Sequence, residues 1–310
     1  MDLHFIINPA AKNGYSLKIW QKIETMLEEK QIKFKRHFTK TSGDGTVLAR
    51  DIASNSVGQV YIIAVGGDGT VHEVVNGVYL YSNVIIGYIP AGSGNDFSRG
   101  FSFSLKPYEA FQQIMDYYEK RAYKQFDIGY FIKRSGITGA FINNFGCGFD
   151  AKISRSANQS KLKPILNKFS MGKLIYVFYL IKEVLLYQPS KLQLCLDGRS
   201  YTFDNTWFVT VSNQPFYGGG MEIAPMAEPN DGVFDIIVVN NISRLKLLFL
   251  FITVFWGGHT RMKEVSTFTS REIKINTATE LPLHADGEDI GLGVVNITIR
   301  RNEVSILSKN

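Results

Sequence analysis

Apolar positions in the first third of the chain alternate between two patterns. Leu3–Asn8 is a short apolar run entering a turn, and Leu17–Glu29 repeats apolar residues at Leu17, Ile19/Trp20, Ile23 and Met26/Leu27, one face of a helix. Ile32–Phe38 alternates as a strand does, Asp44–Ala53 reads as a helix, and Val60–Val65 (VYIIAV) predicts a strand buried on both faces. Val71–Tyr79 is helical again and Val84–Ile89 is a further apolar strand. Alternation at this pace predicts a parallel sheet covered by helices.

After about residue 125 the texture changes. Ile128–Ile132, Gly139–Asn143, Leu192–Leu196, Thr206–Ser212, Val233–Val239, Glu272–Asn276 and Val294–Arg300 are short strand-like runs, most of them separated by Gly, Asn or Asp. That pattern predicts a mainly antiparallel β domain. Two apolar segments, Leu174–Tyr187 and Leu247–Trp256, interrupt it as helices. The expected fold is an α/β domain with a parallel sheet over 1–125, then a mainly antiparallel, β-sandwich-like domain with inserted helices over 126–310. Its last strand, Glu303–Leu307, is free to return to the first domain, which would place about 300–310 there. There is no internal repeat and no low-complexity tract.

A length of 310 residues fits two domains, and 45% hydrophobic residues suffice for a core in each, so wholesale disorder is excluded. The balance of 34 Lys+Arg against 28 Asp+Glu gives a net charge of +6, compatible with nucleotides, anionic lipid or nucleic acid. Two cysteines, Cys147 and Cys195, exclude a disulfide scaffold and a Cys-rich zinc site. The start MDLHFIINPA lacks the basic and apolar regions of a signal peptide, so the cytoplasm is the expected location. Neither apolar segment reaches the ~18–20 residues that span a bilayer.

The candidate chemistry lies in loops. The strand Tyr61–Val65 runs straight into Gly66-Gly67-Asp68-Gly69-Thr70 and a helix, where glycines let the backbone approach a ligand and unpaired N–H groups favour an anion. Neither the Gly-Lys-[Ser/Thr] of a P-loop nor G-x-G-x-x-G is present. Asp68 would repel phosphate unless a cation such as Mg²⁺ lies between them; its alternative role is a helix cap. Ile85–Ile89 enters a similar loop, Pro90-Ala91-Gly92-Ser93-Gly94-Asn95-Asp96, and the first strand enters Asn8-Pro9-Ala10-Ala11-Lys12-Asn13-Gly14. Loops at the carboxyl ends of parallel strands converge in one crevice.

Together with Glu73-Val74-Val75-Asn76-Gly77, Asn230-Asp231-Gly232-Val233-Phe234 and Asp286-Gly287-Glu288, these loops resemble the bacterial diacylglycerol kinase family of lipid kinases. That family is related to sphingosine kinases and, more distantly, to NAD kinases. The resemblance covers nearly the whole chain. It implies ATP-dependent phosphorylation of a lipid hydroxyl, with diacylglycerol giving phosphatidic acid as the example. It implies nucleotide contacts from Asn8, Pro9, Ala10, Ala11, Lys12, Thr39, Gly66, Gly67, Asp68, Gly69, Thr70, Val71, His72, Glu73, Ser93, Asn95 and Asp96. It further implies a structural Mg²⁺ on Asp231, the carbonyl of Val233 and Glu228, with Asp68 in its water network, and Glu288 as general base on the approach turn Asp286-Gly287. His72 and Ser93-Gly94 resemble the sphingosine-kinase version of the motif, which leaves the lipid open. Standing alone, Asp286-Gly287-Glu288 equally suits a solvated hairpin turn.

A kinase for another hydroxyl (a sphingoid base, phosphatidylglycerol or NAD) and a non-catalytic nucleotide- or membrane-binding module are the alternatives. PAGSGNDFSRG after the second apolar strand departs from NAD kinases, and a mere binder would not need Glu288. Residues 151–173 hold Lys152, Arg155, Lys161, Lys163, Lys168 and Lys173 with no acidic residue, and an apolar helix follows. This suits peripheral docking on the inner face of the membrane, or a solvated loop before a core helix. No nucleic-acid-binding motif is present. A homodimer is the default assembly.

Overall fold

The computed structural model describes residues 2–158, 160, 172–277 and 279–309. Its contacts divide the chain into two compact units, residues 1–128 with 301–310, and residues 129–300.

The first unit is built on parallel strands β1 (Asp2–Ile7), β2 (Lys35–Phe38), β3 (Val60–Gly66) and β4 (Val84–Pro90). They lie in the order β2-β1-β3-β4, and the end of the last strand of the chain, β17 (Val295–Leu307), joins β4 in parallel through Ser305 and Ile306. β3 and β4 are buried along their whole length, as a central parallel strand with both faces covered must be. Helices α1 (Tyr15–Glu29), α2 (Asp44–Asn55), α3 (Asp68–Val78), the short α4 (Asp96–Gly100) and α5 (Pro107–Lys120) surround the sheet. Trp20 packs on Phe5 and Phe34, and Tyr61 on Tyr118, tying α1 and α5 to the strands. Asp127 is buried, and its carboxylate accepts the N–H of Asn302 at 2.8 Å.

The second unit is antiparallel. β5 (Tyr123–Lys133) enters it and pairs with β6 (Thr138–Phe141); β7 (Asn144–Gly148), β8 (Ser190–Leu196), β9 (Arg199–Ser212), the short pair β10 (Phe216–Tyr217) and β11 (Met221–Glu222), and β12 (Phe234–Asn240) follow. The remaining strands are β13 (Val265–Ser270), β14 (Glu272–Thr277), β15 (Pro282–Ala285) and β16 (Glu288–Leu292). β9 is the hub: its first half pairs with β8, and its second half is flanked by β7 and β12. One apolar core, with Phe131, Phe141, Phe145, Val211 and Phe234, lies among the strands. A second, with Phe149, Trp207, Phe208, Leu247 and Phe251, lies where α6 (Phe149–Asn158), α7 (Gly172–Leu186) and α8 (Arg244–Thr253) cover the sheet.

Several expected elements change extent. The helix expected from Val71 begins at Asp68, because Gly67 with extended dihedrals serves as its N-cap and accepts the N–H groups of Thr70 and Val71. Val294–Arg300 and Glu303–Leu307 are one strand, and Ile32–Lys33 are not part of β2. The apolar segment at Leu247 starts three residues earlier, where the Ser243 hydroxyl accepts the N–H of Lys246 as an N-cap. Among the described residues no helix is long and apolar enough to cross a membrane. Lys161, Lys163 and Lys168 lie outside the described residues.

Candidate active site

In the first unit, backbone contacts stitch three loops together. The Asn8 N–H donates to Val65 O (3.0 Å), and the Asn8 side chain reaches both Thr70 Oγ1 (3.4 Å) and the N–H of Ala10 (3.1 Å). The Ala91 N–H donates to Gly66 O (2.6 Å). Gly67 and Gly92 meet backbone to backbone: a Cβ on Gly92 would overlap the Gly67 Cα, so neither loop tolerates a side chain there. Asn95, held at φ 58°, accepts the Gly92 N–H (3.0 Å), and its Oδ1 lies 3.0 Å from the buried Tyr88 hydroxyl. The outcome is a rigid rim of main chain around the first turn of α3, where N–H groups lack helix partners.

Asp68 does not cap its own helix. Its Oδ1 accepts the Phe97 N–H (3.0 Å), so it caps α4 and fastens the loop after β4 onto α3. Burial of its carboxyl group, and then the neighbouring Asp96, push the Asp68 pKa up. Asp96 is buried and paired with Arg99 at 3.2 Å. Glu73 acts in the same way on another helix. Its carboxylate accepts the N–H groups of Gly43 (2.8 Å) and Gly45 (2.9 Å), capping α2. Val71 is fully buried and Thr39 nearly so, its N–H donating to Ile7 O (2.9 Å); that leaves main chain as what Val71 can offer a ligand. Pro9, Ala10, Ala11 and Ser93 border the rim, and Gly69 and His72 lie in the opening turns of α3. Lys12 is exposed, with Nζ 4.7 Å over the Tyr15 ring.

In the second unit, Asp286 and Gly287 join β15 to β16 with φ of 50° and 86°. Two successive positive φ values make the turn that matches strand twist, and Asp-Gly is a favoured pair for it. The Asp286 carboxylate is turned inward. It accepts three successive N–H groups, Ile142 (3.0 Å), Asn143 (2.8 Å) and Asn144 (3.0 Å), at the bend between β6 and β7, a backbone concavity suited to an anion. Glu288, next along the hairpin, is exposed.

α6 grips the same hairpin from outside, with residues that sequence reasoning passed over. Asp150, Ser154 and Asn158 recur at every fourth position, hence on one helix face. Asp150 Oδ2 lies 3.4 Å from His284 Nε2, and both side chains are buried. Ser154 Oγ and Asn158 Nδ2 donate to Gly287 O (2.8 and 3.4 Å). Arg155 pairs with Asp289 (3.2 Å). His284 Nδ1 accepts the Gly287 N–H (3.2 Å), so Nε2 carries the proton and points at Asp150. A polar four-residue period on a short helix was the signal available.

The Asp231 segment forms a turn: the Asp231 Oδ1 accepts the Val233 N–H (3.0 Å), and the Glu228 carbonyl accepts the N–H groups of Asn230 and Asp231. Asp231 and Glu228 are exposed. Burial, and then Asp231, push the Asp235 pKa up to about 6. Among the described residues no three His, Cys, Asp or Glu side chains converge as a metal cage.

Residues 2–128 match the family model "Diacylglycerol kinase catalytic domain", and residues 143–308 match "YegS C-terminal NAD kinase beta sandwich-like domain". The chain belongs to the diacylglycerol kinase family of lipid kinases. This lipid kinase is accordingly a phosphotransferase with an alcohol group as acceptor. It is 34% identical over 290 residues to the Bacillus subtilis protein named "Putative lipid kinase YtlR", covering 93% of each chain. It is 30% identical over 228 residues to a Mycobacterium tuberculosis protein named "Diacylglycerol kinase", covering 73% of this chain and 70% of that one. A crystal structure described as a diacylglycerol kinase from Bacillus anthracis superposes with a TM-score of 0.72 at 22% identity, over 99% of this chain and 97% of that one, a likeness of fold.

Proposed function

We propose that this kinase transfers the γ-phosphoryl group of ATP, with Mg²⁺, to the hydroxyl of a diacylglycerol-like lipid, yielding a phosphatidic acid or its analogue. The observation that carries this reading is the hairpin turn, which leaves Glu288 exposed while Asp286 is tied to three main-chain N–H groups. A carboxylate that must accept a proton at a fixed place needs such support.

The rim formed by Asn8, Gly66–Thr70 and Gly92–Asn95 binds the phosphates through main-chain N–H groups and the α3 N-terminus. Lys12, exposed beside that rim, neutralises phosphate charge. Glu288 takes the proton of the acceptor hydroxyl as its oxygen forms the bond to the γ-phosphorus; the bond from that phosphorus to the bridging oxygen breaks, and ADP leaves. Asp231, the Val233 carbonyl and Glu228 are hard oxygen donors, the set that suits Mg²⁺, and would hold it there. Bound Mg²⁺ supplies charge neutralisation at the phosphates.

The test is incubation with γ-labelled ATP and Mg²⁺ against diacylglycerol, monoacylglycerol, phosphatidylglycerol, a sphingoid base and NAD. Label in an organic-extractable product from diacylglycerol is expected. Label in another lipid alone would change the acceptor, and label in NADP alone, or none anywhere, would overturn the lipid-kinase chemistry.

A further inference from the structure

Two helices of the second unit are apolar on the wrong side for a surface meeting only water. On α7, Val177, Phe178, Ile181, Leu185 and Leu186 are exposed. The acidic residue of that helix, Glu183, is instead buried and accepts the Ser156 hydroxyl at 3.1 Å. On α8 and the 3₁₀ turn that extends it (Val254–Trp256), Leu245, Phe249, Ile252, Phe255 and Trp256 are exposed and recur every third or fourth residue. The opposite stripe, Leu247, Leu250, Phe251 and Val254, fills the core, so α8 is apolar around most of its circumference.

The two helices are joined. Arg244, at the start of α8, donates from Nε to Val184 O (2.8 Å) and from Nη2 to Tyr187 O (3.1 Å), closing the C-terminal end of α7. Ten of the large exposed apolar side chains of the protein thus belong to one pair of linked helices. Soluble surfaces carry such residues singly; a contiguous group marks a docking face.

We infer that the outward faces of α7 and α8 insert into the surface of an anionic lipid bilayer. Three features favour a bilayer over a second protein chain. The outward stripe of α8 carries no charge that would set a protein partner's register, whereas a bilayer demands none. Trp and Phe at its far end suit the headgroup boundary. The chain leading into α7, residues 151–173, carries six Lys and Arg and no Asp or Glu, the complement of an anionic leaflet. Lys182 keeps a positive charge on α7 itself, exposed and over the Tyr179 ring. The inference rests on the lipid-acceptor reading for its purpose, but binding is measured without catalysis.

The chain contains its own reporter. Of its three tryptophans, Trp20 and Trp207 are 0% and 2% exposed while Trp256 is 61% exposed. Mixing the protein with phosphatidylglycerol vesicles should shift its tryptophan emission to the blue and shield it from acrylamide, with co-sedimentation that weakens as salt rises. Phe249→Glu with Ile252→Glu should weaken co-sedimentation about tenfold or more. Both sites face solvent, so an unchanged melting curve shows that the variant is folded. Phosphorylation of vesicle-embedded lipid should fall in that variant while a water-soluble short-chain acceptor is handled as before. No emission shift and no co-sedimentation would overturn the proposal, as would a dimer in light scattering that the double variant dissociates. Failure of the kinase reading would appear differently, as vesicle binding intact with no lipid labelled.

Discussion

The anchoring of Asp286 makes a quantitative demand. Replacing it by Asn keeps one oxygen, enough for the Asn143 and Asn144 N–H groups that share Oδ1, but sets an NH₂ group against the Ile142 N–H and removes the negative charge. Hydrogen bonds to a charged group contribute about 1.5–3 kcal/mol each. Asp286 is only half-buried, so water replaces part of what is lost, and the low end applies: about 2 kcal/mol for Asp286→Asn. Ala abandons all three donors and, lacking Asn's tolerance of the left-handed region, adds about 1 kcal/mol at φ 50°, for about 4 kcal/mol in total. Asn is expected to be much the milder change because it also suits the turn.

The assay pairs urea unfolding with steady-state kinetics. Stability and kcat should fall together, in the order Asp286, Asn, Ala, while ATP affinity, carried by the loops after β1, β3 and β4, stays near that of the parent. If Asp286→Asn unfolded at the parental urea concentration yet lost as much kcat as a Glu288 substitution, Asp286 would be acting in the chemistry and the anchoring account would be wrong.

Glu288→Gln should abolish transfer while ATP still binds, by equilibrium dialysis; near-parental kcat removes Glu288 from the mechanism. Gly92→Ala forces a methyl group into the Gly67 backbone, and should cost about 1–3 kcal/mol and weaken ATP binding, whereas Gly58→Ala, with nothing within 4 Å, should do neither. The buried His4 stacks on His37, Nδ1 3.1 Å from its Nε2, and burial, followed by His37 and Lys35, lowers its pKa from 6.5 to about 4. Between those values the unfolded chain binds more protons, so stability falls as pH drops, by at most about 2 kcal/mol at pH 5. His4→Phe should flatten that decline in urea midpoints measured at pH 7 and 5; an unchanged decline would assign it to other groups.

The first unit was legible because its strands are buried on both faces and its loops must be glycine where backbones touch. β3 and β4 announce themselves as unbroken apolar runs, and Gly67 and Gly92 as positions where no Cβ fits. The roles of individual carboxylates were not legible. Asp68 and Glu73 read as ligand contacts, but their oxygens cap α4 and α2, helices remote in sequence from them. α6 escaped for a different reason: the face it turns to the hairpin is polar, so no apolar period marks it. The merging of β17 from two expected strands has the same origin, since residues Arg300–Asn302 between them are polar and carry no strand signal.

The buried His284–Asp150 pair invites a stability argument, and the wrong one. Ion pairs in protein interiors offset little more than their own desolvation, and apolar replacements of equal volume are often as stable. What the pair supplies is register. His284 holds the Gly287 N–H on one ring nitrogen and faces Asp150 with the other, while Thr210 donates to the same carboxylate at 3.4 Å. Sliding β15 by one residue would bring Leu283 or Ala285 to that place, leaving Asp150 without its partner and turning every side chain of the strand to the opposite face. An apolar core tolerates such a slip at the cost of repacking; this cluster does not. A hairpin that must present one carboxylate at one position therefore has a reason to bury polar groups at its base.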